Sequence, residues 1–241
     1  MLVKRAGGGP ASQPDGRRGP GAGKRPASLL NNALDAIKSF NAAGLEQTLN
    51  RASTELSRPA FLRQTVAPLI EQIGVYWQSG QIGAIQEHLA TAVIRTFLGN
   101  LLRTKVSVKN APRIVITTPP AELHELGALL AAVTADYQGW GVIYLGPSLP
   151  SDAIARAVRL SRARAVGLSI VYPEGPYGLE AELKKLRLLL PREVVLFTGG
   201  RALPEYRSVL NEIEAIQLQD LSAFCAALDT LLGEQKHQKG Q

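Results

Sequence analysis

His124 is one of three histidines in a chain of 241 residues, and it stands in the run Glu122-Leu123-His124-Glu125-Leu126-Gly127. A carboxylate two residues before an imidazole can accept one ring N–H, fixing the tautomer and raising the basicity of the other nitrogen. Gly127, three residues after it, has no Cβ and would let a bulky group approach the start of the helical stretch that follows. Such an imidazole could cap a helix, act as a general base or ligate a metal. Taken alone, it also reads as an ordinary loop histidine, exposed or locally hydrogen-bonded. A zinc site would need three or four protein ligands, and only His88, His237 and the single Cys225 accompany His124. One histidine without companions suits a metal whose other positions are filled by a macrocycle. Other cofactor signatures are missing: the G-x-G at Gly139-Trp140-Gly141 precedes a strand-like run instead of following one, and there is neither a P-loop nor a nucleophile elbow.

The elements that must position His124 can be read from periodicity. Residues 27–104 carry Leu, Ile, Ala and Val at three- and four-residue spacings, which predicts four helices. These run from Ser28 to Ala43, from Gly44 to Leu56, from the Pro59 region to Ser79-Gly80, and from Ala84 to Arg103. Short connections between them predict an antiparallel bundle. Residues 105–112 read as a linker, after which the period changes. Strand-like runs at 113–118, 141–146, 165–171, 194–198 and 215–218 alternate with helical stretches through residue 236. The expected fold is therefore a four-helix bundle followed by a flavodoxin-like, Rossmann-type α/β domain with five parallel strands in the order 2-1-3-4-5. Ligands of such sheets bind beyond the carboxyl ends of the strands where the winding reverses, and the loop carrying His124 follows the first strand.

Composition narrows the function classes. With 45% hydrophobic residues the chain can bury one large core or two modest ones, and no stretch is long and apolar enough to span a membrane. The net charge of +7 is uneven: residues 1–26 hold Lys4, Arg5, Arg17, Arg18, Lys24 and Arg25 against Asp15 alone, leaving about +2 on the remainder. That Gly- and Pro-rich segment, like residues 237–241, is expected to be a disordered tail. One cysteine in an apolar helical pattern rules out a disulfide framework, and a cytoplasmic location is expected.

Three motifs at strand ends carry a family resemblance. Glu122-x-His124-x-x-Gly127, Ser169-x-Val171 and Gly199-Gly200 resemble the D/E-x-H-x-x-G, S-x-L/V and G-G set of cobalamin-binding domains. The resemblance implies that His124 replaces the cofactor's own dimethylbenzimidazole as lower cobalt ligand. It further implies that the displaced nucleotide tail lies in a groove near Ser169 and that Gly199 and Gly200 leave it room. In the helical half, Trp77 is followed after nine residues by Glu87-His88. Singly these read as a core tryptophan and a first-turn glutamate favoured by the helix dipole. Together they resemble the bundle that caps the upper cobalamin face in CarH- and LitR-type photoreceptor regulators of the MerR family.

The resemblance, covering residues 28–235, implies a cobalamin-binding sensory or regulatory protein rather than an enzyme. Adenosylcobalamin, methylcobalamin or hydroxocobalamin would be the cofactor, and output would pass to a protein partner or a homo-oligomer. Two departures matter. Residues 1–26 cannot form the winged helix-turn-helix of that family, so direct specific DNA binding is not expected. Gln78 follows Trp77 where light-sensing members have a second cobalt-capturing histidine, so a bis-histidine photoproduct is not expected there. The alternative is a corrinoid carrier subunit of a methyltransferase system, which shares this architecture; a third reading is an interaction module that kept the fold and lost the ligand.

Overall fold

The computed structural model describes residues 24–103, 111–172 and 178–238. Residues 1–23, most of the expected linker and the last three residues lie outside the described residues; of the expected disordered tails, residues 24–26 instead open the first helix and residues 237–238 close the last.

The helical half contains α1 (Lys24–Lys38), α2 (Ala42–Glu55), α3 (Arg58–Phe61), a π-helical turn (Leu62–Val66), α4 (Ala67–Gln78) and α5 (Ala84–Arg103). The expected first helix stops at Lys38, because Phe40 turns left-handed at φ 55° and Asn41 then caps α2 by accepting the Gly44 N–H at 2.8 Å. The expected third helix is one rod broken internally. Ala67 N–H reaches back to the Leu62 carbonyl, five residues away, immediately before Pro68, whose missing N–H cannot continue the regular ladder. Buried residues at helical spacing hold the bundle together: Leu29, Ala33 and Ile37 on α1; Leu45, Leu49 and Ala52 on α2; Ala90, Ile94 and Leu98 on α5.

In the second half, β1 (Arg113–Thr117), β2 (Gly141–Tyr144), β3 (Ala165–Ser169), β4 (Val195–Gly199) and β5 (Ile216–Leu218) form one parallel sheet in the order β2-β1-β3-β4-β5. This is the expected flavodoxin-like arrangement. Its helices are α6 (Leu126–Tyr137), α7 (Ser151–Ser161), α8 (Leu179–Leu189), α9 (Leu203–Glu212) and α10 (Leu221–Gln238). Alternate β1 residues serve opposite faces, as the pleat requires. Val115 packs with α7, α8 and α9, while Ile114 and Ile116 pack with α6 and α10. Two strands end earlier than the apolar runs suggest. After Tyr144 the chain turns at Gly146, φ 76°, and after Ser169 the Val171 N–H leaves the ladder for the Glu122 carboxylate.

α6 is apolar all round for a structural reason. Ala128, Ala132 and Ala135 let it approach the sheet closely, whereas Leu126, Leu129, Leu130 and Val133 belong to the core of the bundle. The two halves thus share this helix. It begins beside the switch point between β1 and β3, directly under the residues read as the candidate site.

Candidate cofactor site

The loop from β1 to α6 is fixed by its own side chains. Thr118 Oγ1 donates to the Glu122 carbonyl and accepts the Ser148 N–H at 2.7 Å, and Ser148 Oγ accepts the Ala121 N–H at 3.0 Å. These bonds tie the β1–α6 and β2–α7 loops together. They leave Glu122 pointing inward and His124 at the rim.

Glu122 is 4% exposed, yet its carboxylate is fully used. Oε1 lies 2.6 Å from His124 Nδ1 and accepts the His124 backbone N–H at 2.9 Å; Oε2 accepts the N–H groups of Val171 and Tyr172, each at 2.8 Å. Burial pushes the carboxyl's pKa upward, but these four donors outweigh it and hold it at about 2. His124 is shifted upward, mainly by the same hydrogen bond to Glu122, against the opposing effect of burial. With Nδ1–H committed to a carboxylate, Nε2 is the nitrogen whose lone pair is available. The ring is half exposed and lies parallel to Tyr172, with centroids 5.9 Å apart at an interplanar angle of 4°.

The other strand-end motifs converge on the same corner. Ser169 pairs with Gly199 across β3 and β4, and Ile170 N–H donates to the Gly199 carbonyl. A Cβ on Gly127 would stand 2.8 Å from Ser169 Oγ, so glycine there lets α6 start against the end of β3. Gly200 has φ 109°, and a Cβ would come within 2.2 Å of the Ile170 carbonyl oxygen. The fold itself therefore demands glycine at 200. A Cβ on Gly199 would meet only ordinary contact, 3.7 Å from the Leu218 carbonyl oxygen. Val171 also accepts Arg201 Nε at 3.1 Å.

The bundle reaches this corner from the other side. A Cβ on Gly74 of α4 would stand 3.3 Å from Arg201 Nη1. Glu87, on the first turn of α5, accepts Thr91 Oγ1 at 2.7 Å, and its charge favours the protonated form of His124 while that of Arg201 opposes it. Trp77 is half exposed and the His88 side chain is 79% exposed. Among the described residues, neither makes a ring contact, ion pair or hydrogen bond with His124.

Several residues of this corner escape a sequence reading. Arg95 of α5 pairs with Glu125 at 2.5 Å, and Tyr144 of β2 donates its hydroxyl to the other Glu125 oxygen at 2.6 Å. Burial, followed by the carboxylate, pushes the Tyr144 phenol well above its ordinary pKa. Tyr172 and Arg201 could have been noticed only as the residues following Ser169-x-Val171 and Gly199-Gly200. Nothing in their types announces that they meet His124 or α4.

The donor set fits a macrocyclic metal better than a free ion. No group of three or more His, Cys, Asp or Glu able to hold a metal occurs among the described residues. One oriented, half-exposed imidazole at a sheet switch point is what remains, and it suits a metal that lacks only an axial ligand.

Comparison with known proteins agrees. Residues 29–102 match the family described as B12 binding domain. Over 180 residues the chain is 29% identical to the HTH-type transcriptional repressor CarH of Myxococcus xanthus, covering 75% of this chain and 60% of that protein. It is 25% identical over 207 residues to the repressor CarA of the same organism, covering 86% and 66%. The chain thus spans less than two thirds of the length of each. The fold is that of the monomethylamine corrinoid protein of Methanosarcina barkeri, with a TM-score of 0.67 and 15% identity over 85% of this chain and 99% of that one. Residues 29–102 thus match a B12 binding domain in a chain similar to the CarH and CarA repressors, and these likenesses support cobalamin, with its cobalt, as the cofactor.

Proposed function

We propose that this chain is a cobalamin-binding sensory or regulatory protein in which His124 Nε2 is the lower cobalt ligand and the helical bundle caps the upper face. When bound, such a cofactor would supply a cobalt centre that takes a nitrogen donor, and His124 would present that donor while Glu122 holds its ring. The single observation that carries the reading is the buried Glu122 carboxylate holding Nδ1–H of a half-exposed imidazole, 2.6 Å away, beside a B12 binding domain. Glu122 would fix the tautomer, Ser169 and Gly199 would border the nucleotide tail, and Trp77, Glu87 and His88 would face the upper ligand. Loss of that upper ligand, by light or by exchange, would alter how α4 and α5 sit on the α/β half and so reach a protein partner or a second copy.

The test is spectroscopic. Protein grown with histidine bearing the heavy nitrogen isotope is loaded with hydroxocobalamin and reduced to the paramagnetic form. If His124 is the ligand, the nitrogen hyperfine pattern changes with the label, and His124→Ala removes that change while other histidine substitutions do not. A pattern indifferent to the label means that the cofactor keeps its own base, and the lower-ligand assignment is then wrong.

A second reading, a corrinoid carrier subunit of a methyltransferase system, is favoured by the exposure of Trp77 and His88, which leaves the upper side reachable by a partner enzyme. Methyl transfer from the loaded chain to a thiol acceptor through a methyltransferase supports the carrier. Inertness in that assay together with a light-dependent change of oligomer size supports the sensor.

A further inference from the structure

The residue after the Ser169-x-Val171 motif touches both partners of the Glu122–His124 pair. Tyr172 donates its backbone N–H to Glu122 Oε2 at 2.8 Å, and its ring lies parallel to the imidazole, with centroids 5.9 Å apart at 4°. The two contacts restrain different motions. The bond from Nδ1 to Glu122 fixes which edge of the imidazole faces inward, and the remaining freedom is a tilt of the ring plane about its Cβ tether and that bond. A parallel neighbouring ring limits that tilt on its side, and the separation is within the range in which aromatic pairs attract. The main-chain bond in turn anchors Tyr172 to the carboxylate that holds the imidazole. Ring plane and ring edge are thereby referred to one buried group.

We propose that Tyr172 is a positioning residue that sets the plane in which His124 presents Nε2 to the cobalt of the cofactor. The proposal rests on the reading of His124 as lower ligand. The pairing is between the two aromatic rings, so phenylalanine should replace tyrosine without loss, whereas an aliphatic residue should not.

The experiment uses the full chain loaded with hydroxocobalamin as wild type, Tyr172→Phe and Tyr172→Leu, with heavy-nitrogen histidine reporting on the lower ligand. The expected result is label-sensitive hyperfine structure in wild type and Tyr172→Phe. In Tyr172→Leu the ratio of histidine-ligated to unligated cobalt should fall by roughly threefold to tenfold, the range set by the worth of one aromatic pair. Corrinoid retained on gel filtration should stay unchanged. A second measurement needs no cofactor: ring relaxation of His124, assigned by its absence in His124→Ala, should report a more mobile imidazole in Tyr172→Leu than in wild type or Tyr172→Phe. It also decides the case in which Tyr172→Leu retains no corrinoid. Label-sensitive structure in wild type with an unaltered ratio in Tyr172→Leu overturns the role of Tyr172, as does equal ring mobility in all three proteins. Label-insensitive wild type overturns instead the assignment of His124 as ligand.

Discussion

Glu122 is under two opposed influences, burial, which favours its neutral form, and four hydrogen-bond donors, which favour its charge. The donors prevail, lowering the group from its ordinary 4.5 to about 2. A carboxyl depressed in the folded state contributes stability that is complete above the unfolded pKa and is lost as pH falls through the folded one. The window is therefore from about 4.5 down to about 2, and the contribution is on the order of 3 kcal/mol. His124, shifted upward by the same bond, runs the other way: its contribution is present at low pH and lost as pH rises through its folded value. Glu122→Gln should separate the effects. Its amide oxygen can still accept from Val171 and Tyr172, but its NH2 would then oppose the donors of His124. We expect a loss of about 1–3 kcal/mol at neutral pH and a flatter acid dependence, read from urea midpoints at about pH 7 and about pH 3. Glu122, His124 and Gly127 were legible in the sequence because their relation is local, set within six residues by one loop. Tyr172 was not, because it reaches His124 only when β1 and β3 lie side by side.

At the scale of elements, the strand order and the placement of the motif-bearing loops could be read from alternation and apolar runs, since a parallel sheet covered on both faces constrains both strongly. The break inside the third helix could not, although Pro68 marks it: a π turn and an ordinary proline kink leave the same sequence signal. Nor could the joint between α5 and the site. Arg95 sits two turns beyond the Glu87-His88 pair that carried the sequence signal of its helix, and its partner Glu125 follows His124 directly. The Glu125 side chain is only 11% exposed and bonds both Arg95 and Tyr144, so His124 is flanked by two carboxylates with different tasks. Glu122 ties it to the end of β3, and Glu125 ties its loop to the bundle. Because the Arg95 side chain is half exposed, the ion pair itself is worth modest energy. A double-mutant cycle with Arg95→Ala and Glu125→Ala, followed by chemical denaturation, should give a coupling of about 1 kcal/mol. Glu125→Ala alone should cost more than Arg95→Ala, because it also leaves the partly buried Tyr144 hydroxyl without its acceptor. Equal single losses with no coupling would mean that the joint is only geometric.

For the whole molecule, α6 decides whether there are two stable units or one. A linker between a bundle and an α/β domain suggests halves that could fold apart, yet α6 gives its alanines to the sheet and Leu126, Leu129, Leu130 and Val133 to the bundle core. Removing the bundle would uncover that leucine face, and apolar burial is the dominant favourable term in folding. The chain should therefore unfold in one cooperative transition, with bundle and sheet melting together. Leu130, 5% exposed, tests this because it lies on the bundle side of a helix that the sheet also needs. Leu130→Ala should cost about 2–5 kcal/mol and lower the single transition without splitting it. With Trp77 replaced by phenylalanine so that Trp140, buried against the sheet, is the remaining tryptophan, far-ultraviolet circular dichroism and fluorescence should give coincident curves with and without Leu130→Ala. A variant in which Trp140 reports a later transition than the helical signal would show that the α/β half stands alone. In that event the bundle could move without disturbing the sheet. With one transition, any large movement of the bundle must disturb the contacts that α4, the π turn and α5 make with α6, the helix that starts just after the loop carrying the imidazole.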